Sequence, residues 1–85
     1  MKKVSVAGTT DSNDCQITIK EHQGIEIVVE SIVKEFFGDH IENLIKGKLE
    51  ELKINNVHVS VIDKGAYDFT IISRLMTALT RAELM

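Results

Sequence analysis

The chain has no proline, no tryptophan and one cysteine, and aromatic residues make up only 5% of its 85 residues. A single cysteine cannot form an internal disulfide, so packing must hold the fold together, as in a reducing compartment. Ten basic residues against 13 acidic ones give a net charge of −3, without the basic excess that binding to nucleic acid requires. No apolar run approaches the length of a membrane span. We therefore expect a cytoplasmic protein that binds neither nucleic acid nor membrane.

The first half of the chain contains two stretches that alternate apolar and polar residues, residues 15–20 and 25–30. This period of two is typical of half-buried strands. The four-residue connection between them contains Gly24, which favours a tight turn. The pattern therefore predicts an antiparallel hairpin.

The second half contains a further alternating stretch at residues 57–62, followed by the turn signal Asp63-Lys64-Gly65. The segment 67–72 is rich in aromatic and β-branched residues, which favour strands. We expect a second hairpin, in which Tyr67, Phe69 and Ile71 face inward.

Between the predicted hairpins, apolar residues recur at steps of three and four over residues 31–53, the helical period. Gly38 interrupts this pattern, which predicts a short helix over 31–37 and a main helix over 39–53. A C-terminal helix should begin near Arg74, whose side chain is expected to stay in solvent. The residues of the helical region expected in the core are Phe36, Phe37, Ile41, Leu44, Ile45, Leu49 and Leu52.

The predicted order of elements is ββαββα in a single domain of residues 1–85, since a chain of this length builds one modest core. Hairpins segregated from helices predict an α+β fold, with one four-stranded antiparallel sheet and the helices packed on one face.

Residues 1–14 are predicted to form an exposed N-terminal loop. Its segment V-A-G-T-T-D-S-N-D, residues 6–14, consists mainly of short residues that bond to nearby backbone and favour turns. Ser12 should be exposed there.

A calcium loop is excluded, because neither a glycine at the sixth position nor a glutamate at the twelfth follows Asp11. His22, His40 and His58 lack metal-ligand spacing and are expected on the surface, and Cys15 should be an unreactive strand residue.

The segment 6–14, together with F-G-D at 37–39 and D-K-G-A-Y-D at 63–68, resembles the citrate lyase acyl carrier protein (gamma subunit) family. The resemblance implies that Ser12 carries, through a phosphodiester, a covalent 2'-(5''-phosphoribosyl)-3'-dephospho-CoA arm. Asp11 stands where the family usually has glutamate, and Asn13 where it often has glycine, so charge and turn compatibility are kept. Carriers of the fatty-acid type are helical bundles, whereas strand-like alternation follows Ser12 here.

The resemblance further implies a carrier subunit of a lyase complex that performs no catalysis itself. Its partners would be the alpha subunit (acyl transferase), the beta subunit (acyl lyase) and the transferase that attaches the arm. The arm thiol would hold the acetyl or citryl group while citrate is cleaved to oxaloacetate and acetate. Three alternatives stay open: an interaction module without a prosthetic group, the related carrier of malonate decarboxylase, and the carrier of citramalate lyase.

Overall fold

The computed structural model describes residues 4–31 and 34–85, except for the side chains of residues 34–37. Four strands and two helices confirm the predicted α+β class, although their order is βββαβα instead of ββαββα. The strands are β1 (Val4–Gly8), β2 (Cys15–Glu21), β3 (Ile25–Ser31) and β4 (Val57–Asp63), and the helices are α1 (Lys34–Glu51) and α2 (Asp68–Arg81).

The strands lie in the order β1-β2-β4-β3, and β4 is antiparallel to β2 but parallel to β3. The predicted pairing of β2 with β3 is therefore wrong. Glu21 and Ile25 both flank Val57, so the short connection between β2 and β3 passes over the beginning of β4. The Gly24 carbonyl there accepts a hydrogen bond from the Val57 amide at 3.0 Å. The turn signal correctly predicted that the chain reverses direction between β2 and β3, but β4 lies between these two strands in the sheet.

The segment predicted as a strand over 67–72 is instead the first part of α2, which begins at Asp68. Its β-branched residues favour a strand locally, but Ile71 lies in helical register with Leu75 and Leu79, and all three are buried. Packing along this stripe overrides the local preference. Tyr67 and Phe69, predicted to face inward, are exposed.

Helix α1 runs without interruption through Gly38, so the predicted division into two helices is wrong. Gly38 is buried. The cost of about 1 kcal/mol for a glycine within a helix is offset here by packing of the helix as a whole. The placement of Phe36 and Phe37 in the core concerns side chains outside the described ones.

The N-terminal segment is a loop over a shorter stretch than predicted, because residues 4–8 form β1. Ala7 is buried, and the Ser5 hydroxyl donates to the Ala78 carbonyl of α2. These contacts attach β1 to the helical layer. The loop proper is confined to residues 9–14, and residues 1–3 lie outside the described part.

Both helices pack on one face of the sheet, as predicted. Every second residue of β4 is buried, and so is every second residue in the first part of β2. The core combines these side chains with the apolar stripes of the two helices; its largest fully buried members are Ile17, Ile19, Ile45, Leu49, Ile71, Leu75 and Leu79. In the part of the chain that the structure describes, neither helix is long and apolar enough to cross a membrane.

Candidate functional site

The loop of residues 9–14 joins β1 to β2 and is closed by its own hydrogen bonds. The Thr9 hydroxyl accepts from the Asp11 amide at 3.1 Å and donates to the Asp14 carboxylate at 2.7 Å. The Asp14 amide donates to the Asp11 carbonyl at 3.1 Å. Asn13 has φ 65°, a left-handed conformation that asparagine tolerates better than most residues. This conformation explains why asparagine can stand at position 13, where the resembling family often has glycine.

The Asp14 carboxylate is the centre of the loop. Arg74 of α2 donates to it through both Nε (3.1 Å) and Nη2 (3.0 Å), and the Cys15 amide donates at 2.7 Å. These bonds, that from Arg74 foremost and that from Thr9 next, lower the pKa of Asp14 to about 2. Asp14 therefore stays ionised and fastens the loop to the helical layer. Arg74, expected in solvent, keeps 40% of its side chain exposed but is bound to Asp14.

The loop is also joined to the turn that follows β4. The Asn13 amide donates to the Lys64 carbonyl at 2.7 Å, and the Lys64 amide donates to the Asp14 carbonyl at 2.9 Å. Asp63 stabilises this turn, because its buried carboxylate accepts hydrogen bonds from the Ala66 amide at 2.9 Å and from the Ser31 hydroxyl at 2.8 Å. The loop and the turn thus form one connected backbone unit.

Two of the three sequence motifs are joined by hydrogen bonds, and a residue next to the third contacts one of them. Residues 63–68 contact the serine loop through Lys64, and Asp68 at the beginning of α2 contacts His40 of α1, with Nε2 2.9 Å from Oδ2. His40 directly follows the F-G-D motif in the chain. Segments far apart in sequence therefore build one continuous surface.

Ser12 lies at the exposed tip of this anchored loop. Among the described residues, no side chain or backbone group forms a hydrogen bond with its hydroxyl. A reagent or an enzyme can therefore approach the oxygen without breaking an internal contact.

The remaining candidate groups of the sequence do not assemble into a second reactive centre. His22 and His58 both approach the Glu26 carboxylate, at 3.5 and 3.3 Å. Within residues 4–31 and 34–85, no cluster of histidine, cysteine or acidic side chains is suited to a metal ion. Cys15 is completely buried, and burial, together with the charges of Asp14 and Asp63, raises the pKa of its thiol to about 11.

The sequence predicts an exposed Ser12, and the structure shows it exposed, but the sequence does not predict that Arg74 supports its loop. The two side chains that form the ion pair are 60 positions apart, and an arginine on a predicted helix looks like any solvated charge. Sequence reasoning also missed the exposed pair Tyr67 and Phe69, because the local pattern predicts a strand there. The single signal that pointed to this region was the D-K-G-A-Y-D motif itself.

Comparison with known proteins gives consistent results. A model of the family described as malonate decarboxylase delta subunit (MdcD) matches residues 2–82. The citrate lyase acyl carrier protein of Oenococcus oeni is 45% identical over 83 residues, which cover 96% of this chain and 86% of that protein. The proteins of the same name from Lactobacillus acidophilus (43% identical, 96% and 86% covered) and Halothermothrix orenii (39%, 96% and 88%) are similar over the same extent. No solved structure matches the chain.

These similarities extend over nearly the whole chain, and the segment 63–68 contacts both the serine loop and His40, the neighbour of the F-G-D motif. The chain belongs to the family of citrate lyase acyl carrier proteins.

Proposed function

We propose that this chain is the acyl carrier subunit of a citrate lyase and that Ser12 is the attachment point of its 2'-(5''-phosphoribosyl)-3'-dephospho-CoA arm. The observation that carries the proposal is the position of Ser12 at the exposed tip of a loop that is otherwise fixed by hydrogen bonds. When bound, the arm supplies a thiol that holds an acyl group as a thioester. The chain itself supplies a fixed attachment point and performs no catalysis.

Attachment requires a bond from Ser12 Oγ to the phosphorus nearest the ribose of a triphosphoribosyl-dephospho-CoA donor. Diphosphate leaves, and the hydroxyl proton passes to a base of the attaching transferase. The chain contributes the reach of the hydroxyl and the shape of the loop around it. Because Asp14, Thr9 and Arg74 hold the loop in one conformation, little order has to be gained when the transferase binds it.

The proposed partners are the alpha and beta subunits of the lyase and the transferase. One arm has to visit more than one active site, so each docking contact should be brief. A cytoplasmic location is part of the proposal, since a buried cysteine thiol suits a reducing compartment.

Two related functions, as the carrier of malonate decarboxylase or of citramalate lyase, differ from this proposal in the partner proteins. The carriers of malonate decarboxylase are represented by the matching family description, whereas the similar proteins are named for citrate lyase. The second of these observations favours citrate lyase. An interaction module without a prosthetic group would keep Ser12 unmodified, and the intact mass of the protein from its native cell distinguishes it.

The test of the attachment point compares Ser12→Ala with Thr10→Ala, a matched loss of a hydroxyl two residues away. Both positions are exposed, so each substitution should change stability by no more than about 1 kcal/mol. Each protein is incubated with the transferase and the donor, and the adduct is mapped by peptide mass. Wild type and Thr10→Ala should gain the arm, and Ser12→Ala should not. An adduct that persists in Ser12→Ala, or that vanishes only in Thr10→Ala, refutes the assignment.

A further inference from the structure

An open groove of about 640 Å³ lies between α1 and the segment that leads from β4 into α2. Its lining is mostly apolar and includes Ile41, Ala66, Tyr67, Phe69 and Ile71, with His40 among the polar groups. Nothing in the carrier function described so far uses this groove.

Two aromatic side chains at the groove are exposed to an unusual degree. Tyr67 and Phe69 are 69% and 74% exposed, and their rings are nearly parallel, with centroids 5.8 Å apart and an interplanar angle of 7°. Large aromatic side chains usually gain by burial, so two rings presented side by side to solvent indicate a surface that another group covers. Flat rings of this kind are suited to stacking with a planar heterocycle.

The groove is close to the attachment serine. Gly65 lines the groove, and its neighbour Lys64 accepts the 2.7 Å hydrogen bond from the Asn13 amide, next to Ser12. Adding standard backbone bond lengths to this hydrogen bond places the Ser12 and Gly65 Cα atoms no more than roughly 10 Å apart. The part of the arm next to the serine consists of a phosphate, a ribose and an adenosine, which together span that distance.

We infer that the groove binds the adenine ring of the arm, stacked on Tyr67 and Phe69, while the pantetheine end stays free. This inference rests on the proposed function. The tether favours it, because a group held near its site is present at a high effective concentration and binds without strong contacts. Since the thiol end must enter the active sites of partners, the segment near Ser12 is the part of the arm that can stay bound. Anchoring that segment reduces the freedom of the arm without hiding the thiol.

The chain contains its own reporter for this contact, since Tyr67 is its single tyrosine and tryptophan is absent. Stacking with adenine should quench tyrosine fluorescence, so the emission of the arm-bearing protein should be about twofold lower than that of the unmodified protein. In Phe69→Ala this difference should shrink, because half of the stacking surface is removed. Val28→Ala, at an exposed position on the opposite face of the sheet, is the control and should keep the full difference.

Hydrolysis of the diphosphate with a nucleotide pyrophosphatase then identifies the bound part. The enzyme releases the pantetheine phosphate and leaves the adenosine portion on Ser12, so the quenching should persist. Recovery of the emission would overturn the assignment to adenine. Equal emission from modified and unmodified protein, with the arm verified by mass, would overturn the inference while leaving the proposed function intact. A chain that gains no mass from the transferase would instead overturn the proposed function, and the groove inference with it.

Discussion

Asp14 is the residue on which the shape of the loop of residues 9–14 most depends, because donors from three other residues converge on its carboxylate. Asp14→Asn removes the charge and keeps the size, and we expect it to lower the free energy of unfolding by about 1 to 2 kcal/mol near neutral pH. Asp11→Asn, an exposed neighbour, should change it by less than about 0.5 kcal/mol. Denaturant unfolding of the three proteins tests this.

The ion pair of Asp14 with Arg74 predicts that stability depends on pH, with a definite sign. Folding lowers the pKa of Asp14 to about 2, so its contribution to stability is fully present above the unfolded pKa near 4. That contribution is lost as the pH falls through the folded pKa. The difference in stability between wild type and Asp14→Asn should therefore shrink between pH 4 and pH 2. A difference that stays constant over this range would contradict the role given to the Arg74 contact.

At this scale, the sequence predicts the exposed loop position of Ser12 because its neighbours form a local motif. It does not predict the contact of Arg74 because the ion pair depends on how α2 crosses the end of β1, which no local pattern encodes.

Among the elements, the end of β1 imposes the strictest local requirement. Gly8 has φ 90°, and a Cβ atom added there would lie 1.9 Å from the carbonyl oxygen of Cys15. Gly8→Ala should therefore destabilise the protein by more than about 2 kcal/mol and disturb the loop that starts at Thr9. Gly47, in the interior of α1, is the matched control: a Cβ there meets no atom within 4 Å, and Gly47→Ala should stabilise by roughly 0.5 to 1 kcal/mol.

Thermal unfolding of both variants gives the comparison. If Gly8→Ala proved as stable as wild type, the close approach of β1 to Cys15 would be wrong. The Gly47 variant shows at the same time whether any added methyl group is tolerated.

The elements also show where local patterns fail as a guide. Alternation identified β2, β3 and β4, although the inward face is buried along most of β2 and β4 and only at Val29 in β3. It did not identify the neighbours of each strand, because a short connection looks the same whether its strands pair or leave room for a third. Residues 67–72 look like a strand locally, since the stripe that makes them helical continues only further along, at Leu75 and Leu79.

In the whole molecule, the fold places the loop of residues 9–14, proposed to bear the arm, at one end of the sheet and supports it by two sets of contacts. One support is α2 through Arg74, and the other is the turn after β4 through Lys64. In the proposed carrier, the freedom of movement would therefore reside in the arm and not in the loop. The partners would thus meet a fixed protein surface with a flexible group attached to it.

The burial of Cys15 makes the arm measurable by its thiol. Cys15 is the single cysteine of the chain, has no exposed surface, and its thiol has a pKa raised to about 11, so little reactive thiolate forms at pH 8. In the native state, an aromatic disulfide reagent should therefore detect no fast-reacting thiol in the unmodified chain and one in the arm-bearing chain. After unfolding in denaturant, it should detect one thiol in the unmodified chain and two in the arm-bearing chain. Arm-bearing Cys15→Ala should show one reactive thiol both before and after unfolding. Rapid reaction of the native, unmodified wild type would show instead that Cys15 is accessible and that the closed packing of β2 against the helices is incorrect.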